Sequence, residues 1–150
     1  VPFNQLLCKS LLAGRTSVNE QGKAARLVPE SGECVLVFRL DSREFRKVFG
    51  VEDQPICDHL FFYKKAADDP VLLCVELKGA DLERAAEQIG RVIRLLKKEL
   101  AKVSVRFRAV IVSNRGVPRE FSHAQRRFQR EHRVELKVSK DGDLRRELSR

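Results

Sequence analysis

Methionine and tryptophan are absent from this 150-residue chain, and tyrosine occurs once. The absence of methionine extends to position 1, so a natural start that was trimmed or that lies upstream of Val1 is expected. No apolar run approaches the ~20 residues of a membrane-spanning helix, and no basic-then-apolar leader opens the chain, which points to a soluble cytoplasmic protein with no membrane partner. Cysteine is sparse, at positions 8, 34, 57 and 74, and no CxxC pair occurs, which argues against zinc ribbons and thioredoxin-like redox chemistry. Three of the four lie in apolar, strand-like runs, where a reduced thiol packs as a small hydrophobe, and Cys57 and Cys74 are expected as a buried thiol pair. There is no internal repeat, low-complexity tract, phosphate-binding Walker loop, nucleophile elbow or Ser-His-Asp arrangement.

What is present is a chain with 43% hydrophobic and 34% charged residues, enough at this length for one domain around one core. The formal net charge of +9 is uneven. Residues 1–100 hold 16 Lys+Arg against 15 Asp+Glu, whereas residues 101–150 hold 14 against 6. A surplus concentrated in the last third suggests a polyanionic partner, because neutralised phosphates release counterions whatever the base sequence. Charge alone does not separate DNA from RNA, and simple solubility is the plain alternative.

Apolar spacing predicts a first helix over Phe3 to Ala13, with Gly14 as a stop. Residues 15–32 are polar, with a short extended piece over Lys23 to Val28. Cys34 to Leu40 is β-branched and aromatic and reads as a strand. The next stretch is ambiguous: Asp41 and Ser42 suit the cap of a short helix through Val48, while Phe45 to Val51 suits a strand. Asp81 is a good N-cap for a long helix whose apolar face runs from Leu82 to Leu100, with Arg91, Arg94, Lys97 and Lys98 on the polar side. Val103 to Val112 is a strand. Arg119 to His132 is a helix with Phe121, Ala124 and Phe128 inward and Arg119, His123, Arg126 and Arg130 stacked outward, Arg127 beside them. Such a row of cations is stabilised by an anionic partner, or is an ordinary solvated face. Val134, Leu136 and Val138 alternate with charged residues, as in a half-exposed edge strand.

The stretch from Cys57 to Ile89 organises the rest. Two apolar runs, LFFY and VLLCVEL, flank the polar break from Lys65 to Pro70, which predicts a hairpin. With the turn centred near Ala67, paired positions sum to about 134, and Asp58 lies across from Glu76 on one face with Lys78 beside it. A slip of one residue would send Asp58 to the other face. Both faces of the hairpin are apolar, so it belongs in the middle of a layered sheet. His59 falls on the face away from Asp58 and reads as a packing residue. Adjacent carboxylates repel unless a cation neutralises them, and oxygen-only ligation suits Mg²⁺ or Mn²⁺. A lysine two positions beyond Glu76 adds a donor that can orient water beside a scissile phosphate. A solvated, charged strand end is the alternative, but strands this apolar rarely end in Asp, Glu and Lys without partners for them.

Asp58, the run Val75-Glu76-Leu77-Lys78-Gly79, and Glu87-Gln88-Ile89 on the following helix resemble the PD-(D/E)XK nuclease superfamily, more narrowly its small bacterial and phage members with CD, ELKG and EQ motifs. The resemblance covers about Cys34 to Ser113. It implies a restriction-endonuclease-like αβββαβ core, a divalent ion held by Asp58, Glu76 and the Leu77 carbonyl, and roles for Lys78 in water activation and for Gln88 in the site. Cys57 stands where the motif's name has proline. The acidic residue that many members bring from an earlier helix has no fixed position here, Asp41 and Glu20 being the candidates.

The expected architecture is therefore α/β: a mixed central sheet flanked by helices, closing with a helix and an edge strand. The expected function is Mg²⁺-dependent phosphodiester hydrolysis in nucleic acid, DNA before RNA, with Mn²⁺ able to substitute and Arg119, Arg126, Arg127 and Arg130 contacting phosphate. A homodimer is left open. The rivals are a non-catalytic nucleic-acid-binding module on the same fold and a regulatory domain whose basic tail meets an acidic protein.

Overall fold

The computed structural model describes residues 4, 8–77 and 81–149. Its centre is a five-stranded mixed sheet in the order β3-β4-β5-β6-β7, made of β3 (Glu33–Arg39), β4 (His59–Lys65), β5 (Val71–Leu77), β6 (Arg106–Val112) and β7 (Leu136–Ser139). The pairs β3–β4 and β4–β5 are antiparallel, and β5, β6 and β7 run parallel. Helix α1 (Arg43–Phe49) links β3 to β4, α2 (Leu82–Glu99) crosses from β5 to β6, and α3 (Phe121–His132) crosses from β6 to β7. Parallel neighbours need such crossovers, whereas β4 and β5 are joined by a tight turn.

The hairpin register is His59 opposite Val75 and Leu60 opposite Cys74, the pairing expected for a turn centred at Ala67. All seven β5 side chains are buried, as suits a strand covered on both faces. On one face Leu60, Leu72, Cys74, Ala109 and Ile111 meet the apolar sides of α2 and α3, including Ile89, Ile93, Leu96 and Phe128. On the other, Phe61, Leu73, Val75, Val110 and Val112 pack with Val18, Ala25 and Leu27.

That second cover is a small antiparallel hairpin of β1 (Ser17–Glu20) and β2 (Lys23–Arg26). The segment read as polar connection, with one extended piece, is thus half of a second layer. Its turn has Gln21 and Gly22 at φ 50° and 75°, the two positive values that a tight two-residue connection requires. The closing segment fastens it down. Arg26 N–H donates to the Gly142 carbonyl (2.9 Å) and the Arg26 guanidinium to the Asp141 carbonyl (3.1 Å). A Cβ on Gly142 would lie 1.7 Å from the Ala24 carbonyl oxygen, so only glycine fits there. The Arg145 guanidinium donates to both carboxylate oxygens of Glu33, at 3.1 and 2.8 Å, and to the Val28 carbonyl (2.6 Å).

The ambiguous stretch after β3 is helical, with Ser42 Oγ accepting from Phe45 N–H (3.2 Å) and Gly50 ending α1 in the left-handed region. Asp81 caps α2 through Arg84 N–H (3.0 Å). Residues 3 and 5–7 of the first expected helix lie outside the described residues. Cys8 and Lys9 are helical, but the chain is extended by Leu11, which bridges Phe38, so a helix through Ala13 does not form. Here pairing with β3 outcompetes local helix propensity, Leu12 N–H donating to Val37 O at 2.8 Å. Cys57 and Cys74 are buried free thiols, as expected, but Cys34 is exposed because it faces outward near the start of an edge strand. No helix among the described residues is long and apolar enough to cross a membrane.

Candidate functional site

Asp58 is the residue before β4, and Glu76 is the penultimate residue of β5. The two are interlocked: Asp58 N–H donates to Glu76 Oε2 (2.9 Å), and Leu77 N–H donates to Asp58 Oδ2 (3.1 Å). Glu76 is 1% exposed, whereas Asp58 is half-buried at the rim. These two bonds fix both side chains at the end of the central strands. Beneath them, burial pushes the Cys57 thiol up, with Cys74, Glu76 and Asp58 adding to the shift. Cys57 is therefore an inert core thiol and no nucleophile.

Parity places Glu76 on the helix side, with Cys74 and Ile111, and His59 on the hairpin side, with Phe61 and Val75. Asp58, outside the ladder, sits between the two. Glu20, at the end of β1, is brought over this edge, and single ligand atoms of Glu20, Asp58 and His59 all lie within 4.8 Å of one another. Glu76 is not a member of that trio. The reading of His59 as packing only is thus incomplete: it is 7% exposed, yet it lines a cleft of about 300 Å³ with Glu20, Asp41, Asp58, Arg15 and Arg39. Burial holds the imidazole down to about 4, Arg39 and Arg15 push the same way, and Asp41 opposes them. Its Nδ1 is buried without a hydrogen-bond partner among the described residues.

Asp41 lines the cleft and its N–H reaches the Asp58 carbonyl (3.4 Å), but its carboxylate is taken by Arg46 at 2.9 Å. It stands beside the trio and outside it. Gln88 is no border residue: it is 7% exposed and its Nε2 donates to the Ile56 carbonyl (3.2 Å), two residues ahead of Asp58. Arg91 Nη1 adds a bond to the Pro55 carbonyl (3.0 Å), so α2 holds the segment that delivers Asp58. Lys78 lies outside the described residues. Arg119, Arg126, Arg127 and Arg130 are exposed on or just before α3, in the helix layer, and none of them lines the cleft. Arg127 faces a groove between α2 and α3, together with Glu83, Glu87 and Glu131. The cations at the cleft are instead Arg15 and Arg39.

Sequence reasoning passed over His59, Arg15 and Arg39. The parity rule hid His59, because it holds inside a ladder and fails for a neighbour just beyond its end. A Gln-Gly pair between two short segments was the available signal for the hairpin that carries Glu20 to the site. No family model, curated protein or solved structure matches the chain.

Proposed function

We propose that this chain is a divalent-metal-dependent nuclease that hydrolyses phosphodiester bonds in nucleic acid, DNA before RNA, with a site of the PD-(D/E)XK kind. The observation that carries the reading is the interlocked pair of Asp58 and Glu76 at the end of two largely apolar strands, with Asp58 on a cleft that also holds Glu20, Asp41 and two arginines. Charged groups at such a position cost stability, and a site that uses them accounts for their presence.

The donor set fits a hard divalent cation, since Asp58, Glu76 and the Leu77 carbonyl all offer oxygen. When bound, such an ion supplies Lewis acidity at a phosphodiester oxygen and lowers the pKa of water. The chain's own residues do the rest. Asp58 and Glu76 hold the ion, Gln88 and Arg91 keep the Asp58 segment against α2, and Arg15 and Arg39 give the cleft positive charge for a phosphate. Lys78 orients or deprotonates the attacking water. The exposed arginines of α3 and the net charge of +9 supply sequence-independent attraction to the nucleic-acid backbone.

The test is incubation with duplex, single-stranded and branched DNA and with RNA, in Mg²⁺, Mn²⁺ or EDTA, beside Asp58→Ala. Metal-dependent cleavage that disappears in the variant is expected. Cleavage that survives Asp58→Ala, or no cleavage of any substrate by the folded parent, would overturn the reading.

A further inference from the structure

We propose that Glu20, Asp58 and His59 form a mixed nitrogen–oxygen cation site in which the His59 imidazole is a ligand, so that the site prefers a first-row transition ion such as Mn²⁺, Fe²⁺, Co²⁺ or Zn²⁺ over Mg²⁺. The proposal deepens the nuclease reading, with which it shares Asp58, and adds a donor of different chemistry.

Two independent observations point to a ligand. The first is geometric. Three donors from two distant places in the chain, Glu20 at the end of β1 and the consecutive Asp58 and His59 at the start of β4, lie within 4.8 Å of one another. Donors 2.0 to 2.2 Å from one ion lie roughly 3 to 4 Å apart, so little closure is needed. Glu20, exposed at a hairpin tip, has the rotamer freedom to provide it.

The second observation is His59 itself. Its side chain is more than nine-tenths buried, borders the cleft, and carries an Nδ1 with no hydrogen-bond partner among the described residues. Buried polar atoms are nearly always satisfied, and an exception calls for a specific explanation such as an ion or a water. A histidine that served only as packing would offer that nitrogen to a protein acceptor. Imidazole is a good ligand for the later first-row ions, while Mg²⁺ is bound almost wholly by oxygen, so adding His59 to two carboxylates changes which metal wins.

The chain contains three histidines, at 59, 123 and 132, so a protein labelled with ¹⁵N-histidine gives three resolvable imidazoles. The intact chain is titrated with Zn²⁺ and, separately, with Mg²⁺. The expected result is that one ring nitrogen moves to the shift of a metal-bound nitrogen with Zn²⁺ and stays in place with Mg²⁺, and that His59→Gln removes this signal. Zn²⁺ captured elsewhere, for example by the exposed Cys8 and Cys34, leaves the His59 signal unmoved. Glu20→Gln, an exposed substitution that spares the core if His59→Gln fails to fold, should weaken Zn²⁺ binding read at His59 by at least ~10-fold, the lower end of what even outer-shell changes cost. Movement only of His123 or His132, no movement at all, or equal affinity in Glu20→Gln overturns the proposal. The two readings fail separately. Mg²⁺-dependent cleavage with no ligation at His59 leaves the nuclease intact and removes this site, whereas Zn²⁺ on His59 in a protein that cleaves nothing does the reverse.

Discussion

Gln88→Ala should destabilise the protein by about 3 kcal/mol, and Gln88→Met by no more than about 1 kcal/mol. The difference follows from what the amide does. Its Nε2 holds the Ile56 carbonyl at 3.2 Å, while its Oε1 is buried with no partner among the described residues. Truncation to alanine strands the carbonyl, at about 2 kcal/mol, and opens a hole in a packed layer, at about 3 kcal/mol, but it also removes the orphaned oxygen, worth about 2 kcal/mol in return. Methionine loses the same bond and the same orphan, yet it fills the volume, so its polar terms nearly cancel. For 150 residues each kcal/mol moves the melting temperature by about 2 to 4 °C, so Gln88→Ala should melt about 6 to 12 °C below the parent and Gln88→Met within about 4 °C of it. Thermal melts by circular dichroism in EDTA decide this without any substrate. Cleavage rates below the melts add the functional half. A positioning residue loses activity in step with the looseness of the Ile56–Asp58 segment, more for alanine than for methionine. Equal melting of both variants with the parent refutes the packing argument, and an equal large loss for both shows that the bond to Ile56, not the volume, carries the effect.

Glu76→Gln keeps the shape of the side chain but removes a charge from the pair proposed to hold the ion, so calorimetry should show weaker Mg²⁺ binding, with excess Mn²⁺ recovering part of the cleavage. Lys78→Ala should leave metal binding intact while turnover falls ~10²-fold or more, and parental behaviour in both variants would remove the site assignment. The bonds from Arg145, helped by the Glu30 N–H and Tyr63, hold the Glu33 carboxyl down to about 2 from an ordinary 4.5. A depressed carboxyl contributes stability that is complete above its unfolded pKa and is lost as pH falls from about 4.5 toward 2, so Glu33→Gln should flatten the acid limb of a melting-temperature profile in that window alone. Replacing Arg119, Arg126 and Arg130 together with alanine should reduce the slope of log affinity against log salt by about 0.9 for each duplex phosphate that is no longer neutralised, read by fluorescence anisotropy, and an unchanged slope would take α3 out of the interface.

Local signals carried the centre of the molecule. The polar break at Lys65 to Pro70 located the turn between β4 and β5, and the observed pairs, Leu60 with Cys74 and Phe61 with Leu73, keep a centre at Ala67, although two apolar faces left a slip of one residue open in the sequence. The helix face from Leu82 to Leu96 was equally plain, capped at Asp81. Distance in the chain limited the rest. Nothing within Ser17 to Arg26 says that this hairpin lies on the sheet, because Val18 and Ala25 gain their partners only from Val75, Val110 and their neighbours. Gln88 was placed by angle on a helix border, but the segment before Asp58 folds over that border and buries it. The cleft was hidden for the same reason, since two of its arginines and its third acid come from elements read as connection or as plain strand.

The anchoring of the β1–β2 hairpin sets an order of events for the growing chain. Its ties run from Arg26 to Gly142 and Asp141, more than 110 residues downstream. Contacts so far apart pay their loop-closure entropy before they return anything, so they form late. The antiparallel hairpin that presents Asp58 opposite Glu76 is local and closes over far less chain. Glu20 is carried by the hairpin that packs on Val75 and Val110 and is tied down at Gly142. A chain cut before residue 141 would therefore keep the residues of the Asp58–Glu76 pair but lose the backbone ties that hold down the hairpin carrying Glu20.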